Sequence, residues 1–591
     1  MVIPFAVGAA GPQMLLQSGR GLQAAPARRL PGSAEPSWPQ SGVLTAGPGM
    51  LPSPPGPGEV TVRYPIKTLK CITFAAMAAV VGVLVLPVYA AKKPSGRAAP
   101  AAPAVEAPAV VPPLPKPWTA QRFSLDNGLR VVIHTDRTAP LVAVGVLVDV
   151  GSRDEQSGLS GLAHFFEHMM FQGSQRVGKM EHLQLLEAQG GEVNANTSAD
   201  RTWYYQAVPK PALELALWLE AERFANLKID AANVDNQRQA VLAEMGQRYD
   251  NQPLARSQLA MVEQVFDTWA LKHSTIGEAA ELKAAPLQAF VEFWRRWYAP
   301  ENCVLVLSGD IDAVQARPLI EATLGRVKPR GAVQRQPIAE PATAAHRFVA
   351  IKDGLAQAPA VQLAWKIPAQ PSPDAAALDL LAQVLGGGEA SRLEKKLVRD
   401  KPLVSAYYAA THGRRDHDVL QVYAELTEPS AAAMQEVKRR IRQEILDIAQ
   451  NGITAEELQR ARTVFEASWV NAASSPTTRA ELLATYEAWH GDANKLSELL
   501  PRYRAVTAEA VKAVARTWLR WDREAEVDAL PAAMPATKAA AKPDWVARAE
   551  KQWAVQESRD PTPAAAAEPP TSPAVPPAAD ATPAAAGSEL P

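Results

Sequence analysis

Cysteine is almost missing from this chain. Among 591 residues only Cys71 and Cys303 occur. Cys71 falls in a stretch expected to be cleaved away, so the mature chain would carry one thiol and no intrachain disulfide. A disulfide-stapled scaffold is thereby excluded, and a hydrophobic core must hold the fold. Cys303 opens the apolar run CVLVLSGD, where it reads as a small buried residue rather than a nucleophile. Charge of one sign is missing as well: 61 Lys and Arg stand against 62 Asp and Glu. With no basic stripe and no aromatics interleaved in one, the chain has nothing to recruit nucleic acid or anionic lipid. Proline is plentiful but unevenly spread, crowding the first 117 residues and the last 60, which places flexible ends around a folded middle.

The ends read as follows. Residues 1–62 carry Gly, Pro, Ser and Ala without an amphipathic period and are expected to be disordered. At 63–90, RYPIKTLKCITFAAMAAVVGVLVLPVYA has a basic start, an apolar centre and a small-residue cleavage site, the pattern of a bacterial secretory signal. Signals belong at the N-terminus, so translation is expected to begin near Met50 or later. Cleavage would deliver a periplasmic protein; an uncleaved segment would instead anchor it to the inner membrane, facing the periplasm. Residues 91–117 form an Ala/Pro linker, and from about 531 to 591 the chain is again Ala/Pro-rich and expected to be disordered. Within that tail, DWVARAEKQWAV has the makings of a short docking helix.

Folded sequence begins near Trp118. FSLDNGLRVVIH sets an Asn-Gly turn before an alternating strand, and LVAVGVLVDV is a longer apolar strand. Further strands fall at EVNANTSA, RTWYYQAV and 303–308, with helices at 179–189, 210–227, 231–250, 254–269, 284–297 and 311–323. The second half repeats the plan: strands at 346–352, 359–366, 403–411 and 417–426. Its helices fall at 373–385, from Ser391, and at 430–450, 454–473, 476–490 and 507–519. The fold class is therefore α+β in two like halves, 118–335 and 336–530. After Trp518, RWDREAEVDALP is so charged that a frayed edge strand, or none, is expected there.

The chemistry concentrates in SGLAHFFEHMMFQ, Ser160 to Gln172. His164, Glu167 and His168 make an H-x-x-E-H run in an apolar, helical setting. Positions i and i+4 share a helix face, so both imidazoles can reach one cation. Glu167, at i+3 from His164, can touch water on the same ion. This is the reverse of the H-E-x-x-H order, with the metal geometry kept. Catalytic zinc normally takes three protein ligands and leaves a fourth position open. The best candidate for the third is Glu244, in the helical run NQRQAVLAEMGQRY, 76 residues past His168.

With H-x-x-E-H and a distal glutamate in VLAEM, the chain resembles the pitrilysin/insulinase metallopeptidases, in the bacterial branch similar to mitochondrial processing peptidase. The resemblance covers roughly 118–530. It implies an internal duplication, each half a mainly antiparallel sheet with helices on one side. It also implies one zinc held by His164, His168 and Glu244, with Glu167 as general base passing a proton to the leaving amine. GEVNANTSAD matches the edge strand that pairs with the peptide backbone in this family, which would place Asn194 and Ala195 beside the scissile bond.

Two departures stand out. Many relatives carry an accessory glutamate seven residues before the third ligand; here that position is Gln237, in Asn236-Gln237-Arg238, as in one bacterial branch. Active single-chain relatives have an arginine and a tyrosine in the second half. Arg399 could match the arginine, but seven residues later stands Ala406, with Tyr407 displaced by one. The resemblance then implies a partner, a zinc-less homologous subunit in a heterodimer or else a second copy, with the Gly386-Gly388 loop near the chamber entrance. The functional expectation is a zinc-dependent endopeptidase acting on peptides or unfolded segments in the bacterial envelope. The competing readings are a non-catalytic peptide-binding or assembly subunit, and a protease dedicated to maturing one precursor.

Overall fold

Valine and its β-branched relatives build the centre of the first sheet, because such side chains pack well on a pleated surface. LVAVGVLV forms β3 (Leu141–Val148) and CVLVLSG forms β6 (Cys303–Gly309), both buried almost throughout. The computed structural model describes residues 118–559, with side chains to Trp553. The segments read above as 1–62, 63–90 and 91–117, and the tail beyond 559, lie outside the described residues. The other strands of the first sheet are β1 (Gln121–Ser124), β2 (Arg130–Thr135), β4 (Glu192–Thr197) and β5 (Thr202–Pro209). The second sheet holds β7 (Arg347–Asp353), β8 (Ala360–Pro368), β9 (Val404–Thr411), β10 (His417–Leu426) and β11 (Glu524–Pro531).

Among the described residues the strand orders are β1-β2-β6-β3-β5-β4 and β7-β11-β8-β10-β9. With β1 set aside, the two are the same permutation. β2 corresponds to β7, β3 to β8, β4 to β9, β5 to β10 and β6 to β11. Each sheet has one parallel pair, β2 with β6 and β7 with β11, and is otherwise antiparallel. This is the duplicated α+β architecture that the resemblance implied, visible in topology although the two halves share little sequence.

Each half packs its own helices on one face of its sheet. Leu162–Met169, Leu213–Asn226 and Leu287–Trp297 cover the first sheet. Pro373–Gly386, Ala431–Asn451 and Ala508–Trp518 cover the second. The opposite faces are covered by exchange. Helix Ala255–Val265 of the first half lies on β7, β8 and β11, its Met261 and Val265 joining Ala364 and Val527 in one apolar cluster. Helix Pro476–His490 of the second half lies on β3 and β6, its Leu482 and Leu483 meeting Leu147, Trp203 and Val306. Arg479 pairs with Asp136 at 2.6 Å and Arg201 with Glu481 across this contact.

The sequence reading of RWDREAEVDALP is overturned. β11 is no frayed edge: it lies between β7 and β8 with all eight residues buried. Strand alternation explains how a charged run can occupy that place. Ala525 and Val527 turn toward helix Ala255–Val265, while Glu524, Glu526 and Asp528 meet cations from the other side. Lys438 Nζ lies 2.6 Å from both Glu526 and Asp528, and Arg442 binds Glu524 and Glu526. His346 adds a third cation, 3.4 Å from Glu524 and 3.3 Å from Glu526. Burial lowers the His346 imidazole, but the two carboxylates outweigh it and lift the pKa to about 9. Three carboxylates thus face three cations, which is how buried charge is tolerated. The ligand atoms of His346, Glu524 and Glu526 cluster tightly enough for a metal. Lys438 and Arg442 already occupy those oxygens, so the group is an ion-pair cluster.

Two shorter readings in the second half are borne out. A helix does follow Ser391, over 392–399, with wide turns from Glu394 to Arg399. In the tail, DWVARAEKQWAV forms the docking helix read for it, Asp544–Arg559, which buries Val546, Ala549 and Trp553 and packs along helix Ala431–Asn451.

Candidate metal centre

The helix Leu162–Met169 puts its apolar residues inward at helical spacing. Phe165 meets Phe290 with ring centroids 4.5 Å apart, and Phe166 stacks on Phe293 at 5.4 Å. Leu162 and Met169 complete the buried stripe. His164 and His168 stand together on another side of the helix, ring centroids 4.8 Å apart. Helix Ala231–Met245 brings Glu244 to them across 76 residues of chain. One oxygen, Glu244 Oε2, lies 3.7 Å from His164 Nε2 and 3.3 Å from His168 Nε2. Its other oxygen lies 3.4 Å from Arg248, one helical turn further on.

These distances leave room for a cation between two imidazole nitrogens and one carboxylate oxygen, the three atoms lying within 4.8 Å of one another. The donor set is of the kind that catalytic zinc uses. Protonation agrees with it. Burial pushes the His164 imidazole down to about 3, so it is neutral and free to donate a lone pair. Burial raises Glu244, but the hydrogen bond from His168 and the electrostatics of the neighbouring side chains outweigh it and hold the carboxyl at about 2. The residues present therefore fit a divalent metal.

Glu167 shares the helix and is half-buried. Burial pushes its carboxyl above the ordinary range, opposed by a hydrogen bond that Thr197 Oγ1 donates to Oε2 at 2.6 Å. Thr197 ends β4, which is an edge of the first sheet. Asn194 and Ala195 sit mid-strand on β4, opposite Tyr205 and Tyr204 of β5, and the Ala195 N–H donates to Asn194 Oδ1 at 2.8 Å. The expected peptide-pairing strand thus runs beside the metal helix. Gln237 is buried and donates to Asn236 Oδ1.

Arg399 is not brought into this group. It is largely exposed and donates to the Glu389 carbonyl at 2.7 Å and to Glu394 at 3.4 Å. Tyr407 donates to Glu394 at 2.8 Å and packs with the helices. Ala406 lies on the opposite face of β9 from it, because a one-residue step in a strand reverses the face. Tyr407 therefore does not stand in for a tyrosine at 406. Two residues beside the site escaped the sequence reading. Arg248 had a signal, the i+4 spacing from Glu244. Thr197 had none, since 30 residues separate it from Glu167.

Paired imidazoles on one helix and a glutamate on a second, converging beside the half-buried Glu167 and an open strand edge, define a metallopeptidase class of site on a duplicated α+β frame. Residues 130–278 match the family Insulinase (Peptidase family M16), and residues 285–465 match the Peptidase M16 inactive domain. The chain belongs to the M16 peptidase family. It is 30% identical over 403 residues to Uncharacterized zinc protease Rv2782c of Mycobacterium tuberculosis, spanning 67% of this chain and 90% of that one. Zinc protease PqqE of Helicobacter pylori is 27% identical over 370 residues, spanning 62% and 83%. A crystal structure of a protease from Helicobacter pylori superposes with a TM-score of 0.67 at 25% identity, covering 70% of this chain and all of that one. Among the described residues no helix is long and apolar enough to cross a membrane.

Proposed function

We propose that the chain is a zinc-dependent endopeptidase carrying one zinc on His164, His168 and Glu244, with Glu167 as its general base. The convergence of those three ligand atoms from two helices carries the reading. Bound there, zinc would supply Lewis-acid chemistry, acidifying water and polarising the scissile carbonyl. Glu167 takes the water's proton and passes it to the leaving amine, and its raised carboxyl pKa suits a group that must do both. Thr197 holds that carboxylate in place. β4 aligns an extended peptide by main-chain pairing, with Asn194 and Ala195 beside the scissile bond. Such pairing favours peptides and unfolded segments over folded ones.

The absence of a hydroxyl at 406 supports a further part of the reading: a homologous subunit without zinc supplies the missing oxyanion donors in a heterodimer. One relative, at 24% identity, is named a probable mitochondrial-processing peptidase subunit beta of Arabidopsis thaliana, which is in keeping with a paired enzyme. The signal-like segment 63–90 supports export to the periplasm. The test is hydrolysis of a quenched peptide pool by the purified chain, with whatever co-purifies, with and without chelator. Glu167→Gln should abolish turnover while zinc stays at one per chain. Unchanged hydrolysis in that variant, or hydrolysis indifferent to chelator, would refute the reading.

A further inference from the structure

Helix Leu162–Met169 has no cap of its own. Its N-cap is Gly161, in left-handed backbone at φ +85°, with no side chain to accept the first N–H groups. A helix start leaves such donors orphaned unless another group takes them. Here the acceptor is Glu155. Its Oε2 accepts from Gly161 N and its Oε1 from Ala163 N, each at 2.7 Å. Ala163 is the residue before His164, so one carboxylate grips the backbone on which the first imidazole stands.

Glu155 is itself held. His273 Nε2 lies 3.0 Å from Glu155 Oε2, and His273 Nδ1 lies 2.8 Å from the Trp269 carbonyl. The imidazole stacks flat on the Trp269 indole, centroids 3.8 Å apart and 7° from parallel. A carbonyl can only accept, so Nδ1 carries a proton. A second proton must then lie between Nε2 and Oε2, since two bare acceptors would repel. Whichever atom holds it, the pair is neutral as a whole, and a neutral pair tolerates burial.

The segment carrying His273 is fixed from both sides. Arg414, in the turn between β9 and β10, donates to the Leu271 carbonyl at 2.8 Å. Gly277 lies against Gly161 so closely that a Cβ on it would come within 2.6 Å of the Gly161 backbone. The Glu278 N–H donates to Ser160 Oγ at 3.0 Å, and the Ser160 N–H donates to Glu281 at 2.8 Å.

We propose that Glu155 and His273 are a positioning pair for the metal-holding helix. The affinity of the His164–His168–Glu244 centre for its cation depends on them, although neither touches it. The inference rests on the metal-site reading above. Groups hydrogen-bonded directly to a metal's ligands are worth about ten- to a hundredfold in affinity; Glu155 holds the backbone before His164 and His273 holds Glu155, so a loss near the lower bound, about tenfold, is expected here.

The experiment is competition for zinc between a chromophoric chelator and the full-length chain or its variants, each checked for folding by circular dichroism. Glu155→Gln and His273→Leu should weaken zinc binding by about tenfold. His273→Gln, whose amide can still donate to Glu155, should recover part of that loss. The cobalt-substituted Glu155→Gln chain should show a shifted visible absorption spectrum, which simple destabilisation would not produce. Should Glu155→Gln not fold, the two His273 variants carry the test, since both leave the carboxylate cap in place. Zinc affinity within twofold of the unmutated chain in folded His273→Leu overturns the proposal, and so does a His273→Gln loss as large as that of His273→Leu. An unmutated chain that binds no zinc sinks this proposal and the metal-site reading together, whereas variants that bind like the unmutated chain sink this one alone.

Discussion

Replacing Lys438 by methionine tests whether the acidic strand β11 is truly interior. Lys438 is 1% exposed and lies 2.6 Å from two carboxylates that are fully buried, on Glu526 and Asp528. At that distance and an effective dielectric of about 20, each attraction is worth roughly 6 kcal/mol before the cost of desolvation. Methionine keeps the length of the side chain and removes the charge, leaving His346 and Arg442 against three carboxylates. Breaking one side of a buried pair costs about 3–5 kcal/mol, because the remaining charge is buried without compensation.

The structure also gives the pH dependence. Burial already pushes the Asp528 carboxyl up, and Lys438 is the strongest influence opposing it. Without Lys438 the folded-state pKa of Asp528 rises further above its unfolded value. A carboxyl raised in this way binds its proton more tightly in the folded state. The folded variant is therefore relieved at acid pH and penalised as pH rises through the raised pKa. Urea unfolding followed by far-ultraviolet circular dichroism should show Lys438→Met less stable by about 3–5 kcal/mol at pH 8, and by clearly less at pH 5.5. A loss under about 1 kcal/mol at pH 8 would mean the charges are solvated, as at a sheet edge. A loss that does not shrink on acidification would refute the proton-uptake argument.

Two more outcomes follow from the same contacts. His346 is held at about 9 against an ordinary 6.5, so its contribution is full below about pH 6.5 and is lost as pH rises through 9. His346→Gln should remove that slope, worth at most about 3 kcal/mol, from the pH–stability profile; an unchanged slope would disprove the assignment. Thr197→Val removes the hydroxyl that holds Glu167 and should lower kcat about tenfold, about 1.4 kcal/mol, with KM for peptide unchanged. Thr197→Ser should keep the rate, and equal losses in both variants would refute a role for the hydroxyl.

The metal centre was legible because helical spacing is local. His164, Glu167 and His168 declare their shared face from sequence alone, whereas the distance to Glu244 came from the family resemblance. What was illegible depended on partners far along the chain. Glu524, Glu526 and Asp528 read as solvated because hydropathy counts charges one at a time. Lys438, Arg442 and His346 stand 82 to 180 residues from the carboxylates they meet, and only the fold shows that they neutralise the strand. Yet one clue lay in the duplication. If the second half repeats the first, then EAEVDALP must occupy the place of CVLVLSG, at the centre of a sheet. Glu155 was hidden for a different reason, since a cap supplied from outside the helix leaves no box at its start. Tyr407 shows the limit of motif alignment: a shift of one residue is small in sequence and reverses the side chain's face in a strand.

The symmetry also bears on what the second half is for. Helix Pro373–Gly386 joins β8 to β9 as helix Leu162–Met169 joins the corresponding β3 to β4. It carries no histidine, and its buried Asp379 is taken by Thr411 and Tyr503. The second half therefore kept the frame, and among the described residues it holds no such paired-histidine centre of its own. It is not thereby idle. Its helix Pro476–His490 covers the face of β3 and β6 that would otherwise lie bare, and the first half's helix Ala255–Val265 covers β11 in return. Its β9–β10 turn sends Arg415 to Asp149 at 3.0 Å and Arg414 to the segment that holds His273. Asp149 lies just before the loop carrying Glu155, and that loop caps helix Leu162–Met169. With its sheet faces exchanged and its helix cap braced from the other half, the centre belongs to both halves, although all of its candidate ligands lie in one.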